Sequence, residues 1–477
     1  MNQRRFALLC SAFLGIAMLA SCGKTEAPPP PPPAPVVEPP KAAASAFDAQ
    51  MKQLVAEVYV YAYPLVLTDV TREIDTAGSA PDTFRHRRTL PDATTKDSAS
   101  PNADFLYSQA WIDLSKGPVF LSVPDTKGRY YLIAMLDAWS NVAASLGKRT
   151  TGTGKEEFAI VGPNWKGKLP SGVSEVQSPT NLAWLFGRMQ TTGGADRDAA
   201  ARLQGELKLA RLGGSAKASA KTAAPAATVD TKAAPRDVVA SMNAETFFSR
   251  FALLLAGNPP AKDDAPMVEK IRKLGIEAGH PFDAAKLDAI ATRSYEEGMK
   301  SAQEAIATAS QRSTGGDIRN GWRFDAALGR WGTDYGKRAV AAYMGLGLNA
   351  PEDAIFMATY LDAGGHRLEG TNRYVLHFDA GKTPPTDGFW SLSLYDDQQH
   401  FVANPQSRYN LGSTSRLTPN ADGSLDIYLQ PSDPGADKAA NWLATPKGNF
   451  NLILRIYWPK QEVIDGKWVA PGVRHVT

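Results

Sequence analysis

Three arginines in this sequence lie where the guanidinium group is expected to need a hydrogen-bonding or charged partner. Arg188 and Arg455 each lie within a run of apolar residues that is typical of a buried strand, and Arg408 precedes a tyrosine. Burying an unpaired guanidinium is costly. Each arginine is therefore expected either to bind an Asp or a backbone carbonyl inside the protein, or to bind a carboxylate or sulfate group of a ligand through its planar fork of donors.

Other polar and aromatic residues could complete such a ligand site. Asn102, Asp104 and Tyr107 cluster where a predicted strand begins, so they either cap a turn or contact a ligand. Trp139 and Trp442 either pack in the core or stack on sugar rings. The predicted ligand-binding residues, with no catalytic role assigned to any of them, are Arg188, Arg455, Arg408, Asn102, Asp104, Tyr107, Trp139 and Trp442.

Signatures of common enzyme and cofactor sites are missing from the sequence. It has no Gly-x-Ser-x-Gly elbow, no His-Glu-x-x-His helix, no phosphate-binding loop and no dinucleotide fingerprint. The six histidines form no local ligand pair, so we predict no metal site and no cofactor, although a zinc site assembled from distant residues stays open. The segment 420–426 resembles a calcium loop only loosely, and a plain hairpin turn is favoured because the later ligands are missing.

The first residues have the pattern of a bacterial lipoprotein signal. Arg4 and Arg5 precede an apolar run from Phe6 to Ala20 that is too short to span a membrane. It ends in Leu19-Ala20-Ser21-Cys22, which resembles a lipobox. We predict cleavage before Cys22, acylation of that cysteine and a membrane-anchored protein in the cell envelope. Gly23 favours the outer membrane.

Composition narrows the classes of partner. The only other cysteine, Cys10, leaves with the signal peptide, so the mature body can form no disulfide. Without Arg4 and Arg5 the chain has 50 basic residues against 49 acidic ones, which gives no indication of nucleic-acid binding. The predicted partners are the membrane, through the lipid on Cys22, and a small-molecule or glycan ligand. The oligomeric state cannot be derived from the sequence.

Periodicity predicts the secondary structure. Helical spacing indicates a first helix from Phe47 to Tyr63 that ends near Pro64, and it leaves open whether Leu65 to Ile74 continue the helix after a kink. Period-two alternation indicates strands in two separate blocks, and helical patterns fill the sequence between them. In the last strand, Phe450, Leu452, Leu454, Ile456 and Trp458 are predicted on one face, and Asn451, Ile453, Arg455 and Tyr457 on the other.

Together these patterns predict an α+β fold, mainly β, with two jelly-roll-like antiparallel β-sandwich parts and helices at the N-terminus and between them. The predicted segments are a signal peptide (1–21), an acylated cysteine with a Pro-rich tether (22–46), an N-terminal helix plus β-sandwich domain (47–210), a disordered Ala/Lys-rich insertion (211–237), a helical connector (238–350) and a C-terminal β-sandwich domain (351–477).

The two β blocks resemble each other. Tyr130-Tyr131 and Phe389-Trp390 each open an apolar strand that ends in Asp, and Arg188 and Arg455 each occupy the middle of a later strand. The spacing is unequal, so both chance similarity of strands and an internal duplication remain open. A duplication predicts two similar sandwiches packed side by side.

Two groups of motifs resemble a known pair of domains. Asn102-Ala103-Asp104-Phe105-Leu106-Tyr107-Ser108, with Ala183-Trp184-Leu185-Phe186-Gly187-Arg188, resembles domain of unknown function 1254. Gly388-Phe389-Trp390-Ser391-Leu392, Asn404-Pro405, Arg408-Tyr409 and Leu454-Arg455-Ile456-Tyr457-Trp458-Pro459 resemble its usual partner, domain of unknown function 1214. The resemblance implies two β-sandwich, jelly-roll-like parts with helical additions, and it implies no established activity.

Two functions from different classes fit the sequence. The favoured one is a ligand-binding or scaffold lipoprotein without catalysis, and the alternative is a lyase or hydrolase that acts on an anionic glycan or another small polar substrate through Arg, Tyr and His chemistry. Geometry separates them. An Arg, a Tyr and a His or carboxylate in one concave pocket would favour the enzyme, whereas closed salt bridges at Arg188 and Arg455 would favour binding or scaffolding.

Overall fold

Alternating apolar residues form strands in both predicted blocks. The computed structural model describes residues 41–80, 82–96, 98–211, 228–312, 317–326 and 328–476. About 29% of the chain is helical and about 27% is in strands of four mostly antiparallel sheets, which confirms the α+β fold. The predicted signal peptide, the tether up to residue 40 and residues 212–227 of the predicted insertion lie outside the described residues.

The first block forms two sheets with one core between them. Strand order is β1-β2-β8-β4-β5 in one sheet and β7-β6-β3-β9 in the other. Buried side chains of both sheets, such as Leu106, Leu121, Ile133 and Ile160, share this core. The strands are β1 (Arg85–Arg87), β2 (Phe105–Asp113), β3 (Val119–Val123), β4 (Tyr131–Asp137), β5 (Val142–Gly147), β6 (Glu156–Val161), β7 (Ser174–Gln177), β8 (Leu182–Gln190) and β9 (Lys208–Arg211).

The second block repeats this arrangement. Strand order is β10-β11-β12-β18-β14-β15 in one sheet and β17-β16-β13-β19 in the other, and Met357, Leu376, Leu392, Ile427 and Leu454 share the core. The strands are β10 (Asp317–Arg319), β11 (Trp322–Phe324), β12 (Ala354–Thr359), β13 (Arg373–Phe378), β14 (Thr386–Asp396), β15 (Asn410–Gly412), β16 (Leu425–Gln430), β17 (Trp442–Ala444), β18 (Phe450–Pro459) and β19 (Arg474–Val476).

Helices cover part of the first sandwich. In the described part of the chain they are α1 (Lys41–Thr76), α2 (Gly194–Glu206), α3 (Pro235–Ala240), α4 (Ala244–Leu255), α5 (Ala265–Lys273), α6 (Ala289–Arg312), α7 (Tyr335–Met344) and α8 (Gln461–Ile464). The helical pattern over residues 239–255 belongs to two helices, because Asn243 caps the start of α4 by accepting a hydrogen bond from the Thr246 amide.

Helix α1 is the centre of the helical layer and corrects one prediction. It does not end near Pro64, which lies inside it, and residues 65–74 continue the helix, as the alternative allowed. The missing hydrogen bond at the proline is outweighed by burial, since Tyr61 and Leu65 on either side are fully buried. The stretch Asp48–Thr76 is long and apolar enough to cross a membrane, with a mean hydropathy of 1.2. However, 72% of its most apolar part is buried against the rest of the protein.

The predicted insertion ends earlier than residue 237. The Thr228 hydroxyl donates a hydrogen bond to the Glu73 carboxylate, and Val229 and Ala233 pack against the helical core. Helix α3 then begins at Pro235. These apolar contacts give residues 228–237 a fixed place that the Ala/Lys-rich composition did not indicate.

Strand topology supports the internal duplication. The order β2-β8-β4-β5 in the first sandwich matches β12-β18-β14-β15 in the second, and β7-β6-β3-β9 matches β17-β16-β13-β19. In each copy one pair is parallel, β6 with β7 and β16 with β17. The register agrees too. Leu132 follows Tyr130-Tyr131 and pairs with Arg188, and Ser391 follows Phe389-Trp390 and pairs with Arg455. The similarity of the two blocks is therefore an architectural repeat.

Each copy has a glycine at the end of one edge strand, because the backbone of the neighbouring strand lies too close for a side chain there. A Cβ on Gly412 would press into the carbonyl oxygen of Trp390, and a Cβ on Gly147 would press into that of Tyr131. We expect Gly412→Ala to lower the free energy of unfolding by about 1–3 kcal/mol, because the backbone must shift to make room. Urea denaturation measures this, with Gly154→Ala as the control because its Cβ meets no atom within 4 Å. Equal effects of the two substitutions would contradict the prediction.

Candidate functional site

The two sandwiches meet across an aromatic layer. The outer face of the first sheet is covered partly by helices, which bury Trp111 and Trp184. The rest of that face packs against the second sandwich through Phe105, Tyr130 and Tyr457, among other rings. Phe105 meets Tyr457 edge-on with ring centroids 4.9 Å apart.

Asp104 lies at the edge of this layer and carries no ion pair with any described residue. Its carboxylate accepts hydrogen bonds from the Ser391 hydroxyl at 2.6 Å, the Tyr457 hydroxyl at 3.1 Å and the Asn410 amide. Burial raises the pKa of the Asp104 carboxyl, against the opposing effect of the Ser391 hydrogen bond and the Arg455 charge. Three neutral donors therefore occupy three of about four acceptor positions on this carboxylate.

Asn102 fixes the turn that presents Asp104. The Asn102 side chain accepts a hydrogen bond from the Asp104 amide at 2.8 Å and donates one to the Tyr457 hydroxyl at 2.7 Å. Burial raises the pKa of Tyr457 well above its usual value, with the Asp104 charge adding to the effect. Tyr457 is therefore neutral and relays hydrogen bonds from Asn102 to Asp104.

Arg455 is buried behind Asp104. It donates hydrogen bonds to the Ser393 hydroxyl at 2.9 Å and to the Ser100 carbonyl at 3.0 Å. Its guanidinium carbon lies 5.3 Å from the centre of the Phe356 ring and 5.6 Å from that of Tyr395. A backbone carbonyl and a hydroxyl hold this arginine, without a closed salt bridge to a described residue.

Arg188 occupies the equivalent position in the first sandwich. It donates a hydrogen bond to the Gly347 carbonyl at 2.9 Å and lies over the rings of Phe186 at 4.4 Å and Tyr107 at 5.9 Å. Tyr107 also stacks on Phe186, and burial raises its pKa. Arg188 and Tyr107 thus belong to the layer between the sandwiches, and neither lines the cleft beside Asp104.

A cleft of about 760 Å³ opens beside Asp104, between loops of the two sandwiches. Its polar lining includes Ser391, Asn410, Thr414, Arg408 and Arg416. Asp104 and Ser391, which are otherwise buried, form part of its wall. An Arg, a Tyr and a carboxylate therefore converge near one concave site, with the carboxylate as the member that reaches the cleft.

Three predicted ligand residues have other roles. Trp139 packs among the helices, where its ring lies 4.8 Å from that of Tyr61. Trp442 is buried and its indole donates to the Gln430 carbonyl at 2.8 Å, so both tryptophans are core residues that line no part of the cleft. Arg408 does line the cleft, but its Nη1 donates to the Ala439 carbonyl at 2.7 Å, which fixes the loop from 404 to 410.

The last strand departs from the predicted alternation at one residue. Arg455, Tyr457 and Asn451 share one face, as predicted, and Arg455 and Tyr457 use it to contact Ser100 and Asp104 of the first sandwich. Trp458 is not on the opposite face, because its backbone is left-handed, with φ of 51°. It therefore packs against the aromatic layer.

Ser391 and Asn410 contact Asp104 but were not predicted as site residues. Ser391 alternates with apolar residues along β14, which indicated only that it faces away from the core. Asn410 begins a three-residue strand. No local pattern shows that either lies beside a residue about 300 positions earlier.

No metal-binding group is found among the described residues: none of them form a cluster of three or more His, Cys, Asp or Glu side chains suited to an ion. The oxygen-rich segment 420–426 is an internally bonded turn, in which Asp422 accepts hydrogen bonds from the amide and hydroxyl of Ser424. Its carboxylate is thus used by the turn.

The raised pKa of Asp104 predicts a pH-dependent contribution to stability. The folded state favours the protonated carboxyl, so this contribution is complete below the unfolded pKa of about 4 and is lost as the pH rises through the folded pKa. We expect Asp104→Asn, which cannot ionise, to cost less stability at pH 8 than at pH 4. Denaturant unfolding across this range measures it, with the exposed Asp397→Asn as control. A cost that grows with pH would contradict the sign.

The fold and the cleft define a class: an α+β protein of two repeated sandwiches with a polar cleft where they meet. Residues 81–211 match the family described as "Protein of unknown function (DUF1254)", and residues 353–461 match "Protein of unknown function (DUF1214)". The two matches cover about half of the chain. The chain therefore belongs to the two-domain family that joins these domains in this order.

A solved structure agrees on the fold. The VPA0106 protein from Vibrio parahaemolyticus is 22% identical, with a TM-score of 0.67 over 90% of this chain and 100% of that chain. An uncharacterized protein from Burkholderia cenocepacia is 14% identical, with a TM-score of 0.43 over 91% of this chain and 96% of that chain. No curated protein matches the sequence.

Proposed function

We propose that this protein is a membrane-anchored envelope lipoprotein whose folded body binds a small polar ligand in the cleft beside Asp104. The observation that carries the proposal is a buried carboxylate, without an ion pair to any described residue, in the wall of a cleft of about 760 Å³. Binding sites for small molecules have volumes of about 300–1,000 Å³ and a few converging polar groups. Asp104, Ser391 and Asn410 are such groups, held by rigid strands.

A ligand screen tests the binding function. The full-length protein in detergent is heated with amino acids, polyamines, uronates, neutral sugars and aromatic acids, and its melting temperature is measured. A ligand at about 100 times its dissociation constant adds roughly 2.7 kcal/mol of stability. We expect at least one polar class to raise the melting temperature, and Asp104→Asn, but not Asp397→Asn, to remove the increase. If no compound raises it, the binding proposal fails.

Lipid anchoring is tested separately. The sequence Leu19-Ala20-Ser21-Cys22 supports cleavage and acylation at Cys22, and two or more acyl chains give stable membrane attachment. We expect the wild-type protein in the membrane fraction with an acylated N-terminal cysteine by mass spectrometry. Cys22→Ser should remove the acyl mass and release the protein. A wild-type mature N-terminus other than Cys22 would refute the anchor without affecting the cleft.

The raised pKa of Asp104 favours a second candidate, an acid–base enzyme. A buried carboxyl with a raised pKa at a cleft is a common form of general acid or base, and an anionic glycan would supply acidic protons for a lyase. Polygalacturonate and alginate are incubated with the protein, and unsaturated products are followed by ultraviolet absorbance. Turnover that Asp104→Asn abolishes would support this candidate, and absence of products from both polymers would reject it.

A further inference from the structure

Two aspartates occupy equivalent positions in the repeated sandwiches. Asp104 immediately precedes β2, and Asp353 immediately precedes the equivalent strand β12. Each reaches across to the edge strand of the other sandwich. Asp104 accepts a hydrogen bond from Asn410 in β15, and Asp353 accepts one from Ser145 in β5. The repeat therefore builds the same cross-domain carboxylate twice.

The turns that follow these edge strands also correspond. Residues 145–151 read Ser-Leu-Gly-Lys-Arg-Thr-Thr, and residues 410–416 read Asn-Leu-Gly-Ser-Thr-Ser-Arg. In the first turn the Lys148 amide donates to the Tyr131 carbonyl at 3.1 Å, and in the second the Ser413 amide donates to the Trp390 carbonyl at 3.0 Å. This shared geometry makes position 414 the equivalent of 149, and position 416 the equivalent of 151.

The two copies differ in what lies against the carboxylate. In the first turn Arg149 Nε lies 2.7 Å from Asp353 Oδ1, and the Asp353 side chain is only 2% exposed. In the second turn the equivalent residue is Thr414, which is uncharged and therefore supplies no cation to Asp104, and which lines the cleft. One carboxylate is thus paired with a guanidinium of the chain itself, whereas the other has no cation from a described residue and borders the cleft.

We propose that the ligand of the cleft is a zwitterion with its charges at opposite ends: a distal guanidinium or ammonium group that binds Asp104 as Arg149 binds Asp353, and a carboxylate that binds Arg416. This inference rests on the proposed binding function and names its ligand class. Arg416 is exposed, lines the cleft and forms no ion pair with the residues that the structure describes. Its equivalent in the closed copy is the uncharged Thr151.

The charges of the cleft fit a zwitterion better than a simple ion. Among the described residues, its lining contains two acidic ones, Asp92 and Asp104, and two basic ones, Arg408 and Arg416. A ligand with one sign of charge would meet repulsion as well as attraction, whereas a ligand with both signs at opposite ends matches the wall. Arg416 can pair with the ligand carboxylate through two hydrogen bonds, and the acceptor position left on Asp104 can take one donor of the ligand cation.

Calorimetric titration of the full-length protein in detergent at pH 8 tests the ligand class. The probes are L-arginine, L-norleucine, which lacks the distal cation, and agmatine, which lacks the carboxylate. We expect L-arginine to bind at least ten times more tightly than either of the others. Equal affinities for L-arginine and L-norleucine, or no binding of L-arginine, would overturn the inference.

Two reciprocal substitutions test the equivalence of the copies. Thr414→Arg should place a guanidinium on Asp104 and weaken L-arginine binding at least tenfold, whereas Thr418→Arg, on an exposed residue outside the cleft lining, should not. Arg149→Thr should open Asp353 and add a second binding equivalent for agmatine. Circular dichroism checks folding, and if Arg149→Thr does not fold, Thr414→Arg decides. Wild-type affinity in Thr414→Arg would refute the inference.

Failure of this inference is distinguishable from failure of the proposed function. If L-arginine does not bind but another polar compound raises the melting temperature in an Asp104-dependent way, the cleft is a binding site for a different ligand class. If no compound in the screen does so, the binding function itself is refuted.

Discussion

Arg455→Ala is expected to lower the free energy of unfolding by about 3–5 kcal/mol. The side chain is 3% exposed and donates to Ser393 and to the Ser100 carbonyl, which belongs to the segment leading into Asp104. Removing it leaves a cavity between two aromatic rings and withdraws the positive charge that opposes the raised pKa of Asp104. Urea denaturation at pH 7 measures the loss.

Arg416→Ala is the matched control for Arg455. It removes the same side chain from an exposed position without an ion pair to a described residue, so the expected change is within about 0.5 kcal/mol. Arg455→Lys should lie between the two, because it keeps the charge and loses the fork of donors. If Arg455→Ala costs no more than Arg416→Ala, Arg455 does not hold the sandwiches together.

Local patterns predicted the strands of both sandwiches, because apolar and polar residues alternate along a strand that has one face in a core. The sequence also aligned Phe389-Trp390 with Tyr130-Tyr131, and Arg455 with Arg188. The pairing of β14 with β18 has the same register as the pairing of β4 with β8, which confirms this alignment. Patterns failed where tertiary burial decided the outcome, as at Pro64 inside α1 and Trp458 at the end of β18.

The candidate site was only half visible in the sequence. Asn102 and Asp104 stood out because polar residues preceded an apolar strand. Their partners Ser391 and Asn410 lie in the other sandwich, and such cross-domain contacts leave no local signal. The contrast between Arg149 and Thr414 becomes meaningful only when the strand order shows that the two turns are copies.

Phe105→Ala is expected to weaken the packing of one sandwich on the other, at a cost of about 3–5 kcal/mol in the free energy of unfolding. Phe105 is fully buried, and its ring centroid lies 4.9 Å from that of Tyr457 and 5.7 Å from that of Phe389. Because Tyr457 also donates to Asp104, a cavity here frees the tyrosine to move and loosens the carboxylate.

Denaturant unfolding followed by both fluorescence and circular dichroism measures this cost, with Leu253→Ala as control because Leu253 is 51% exposed. A single transition at lower denaturant with an unchanged slope would mean that the sandwiches still unfold together. A second transition in Phe105→Ala alone would mean that the aromatic layer is what couples them. A loss no larger than that of Leu253→Ala would contradict the role assigned to Phe105, because removing a side chain from a closed interface should cost more than removing one from an exposed surface.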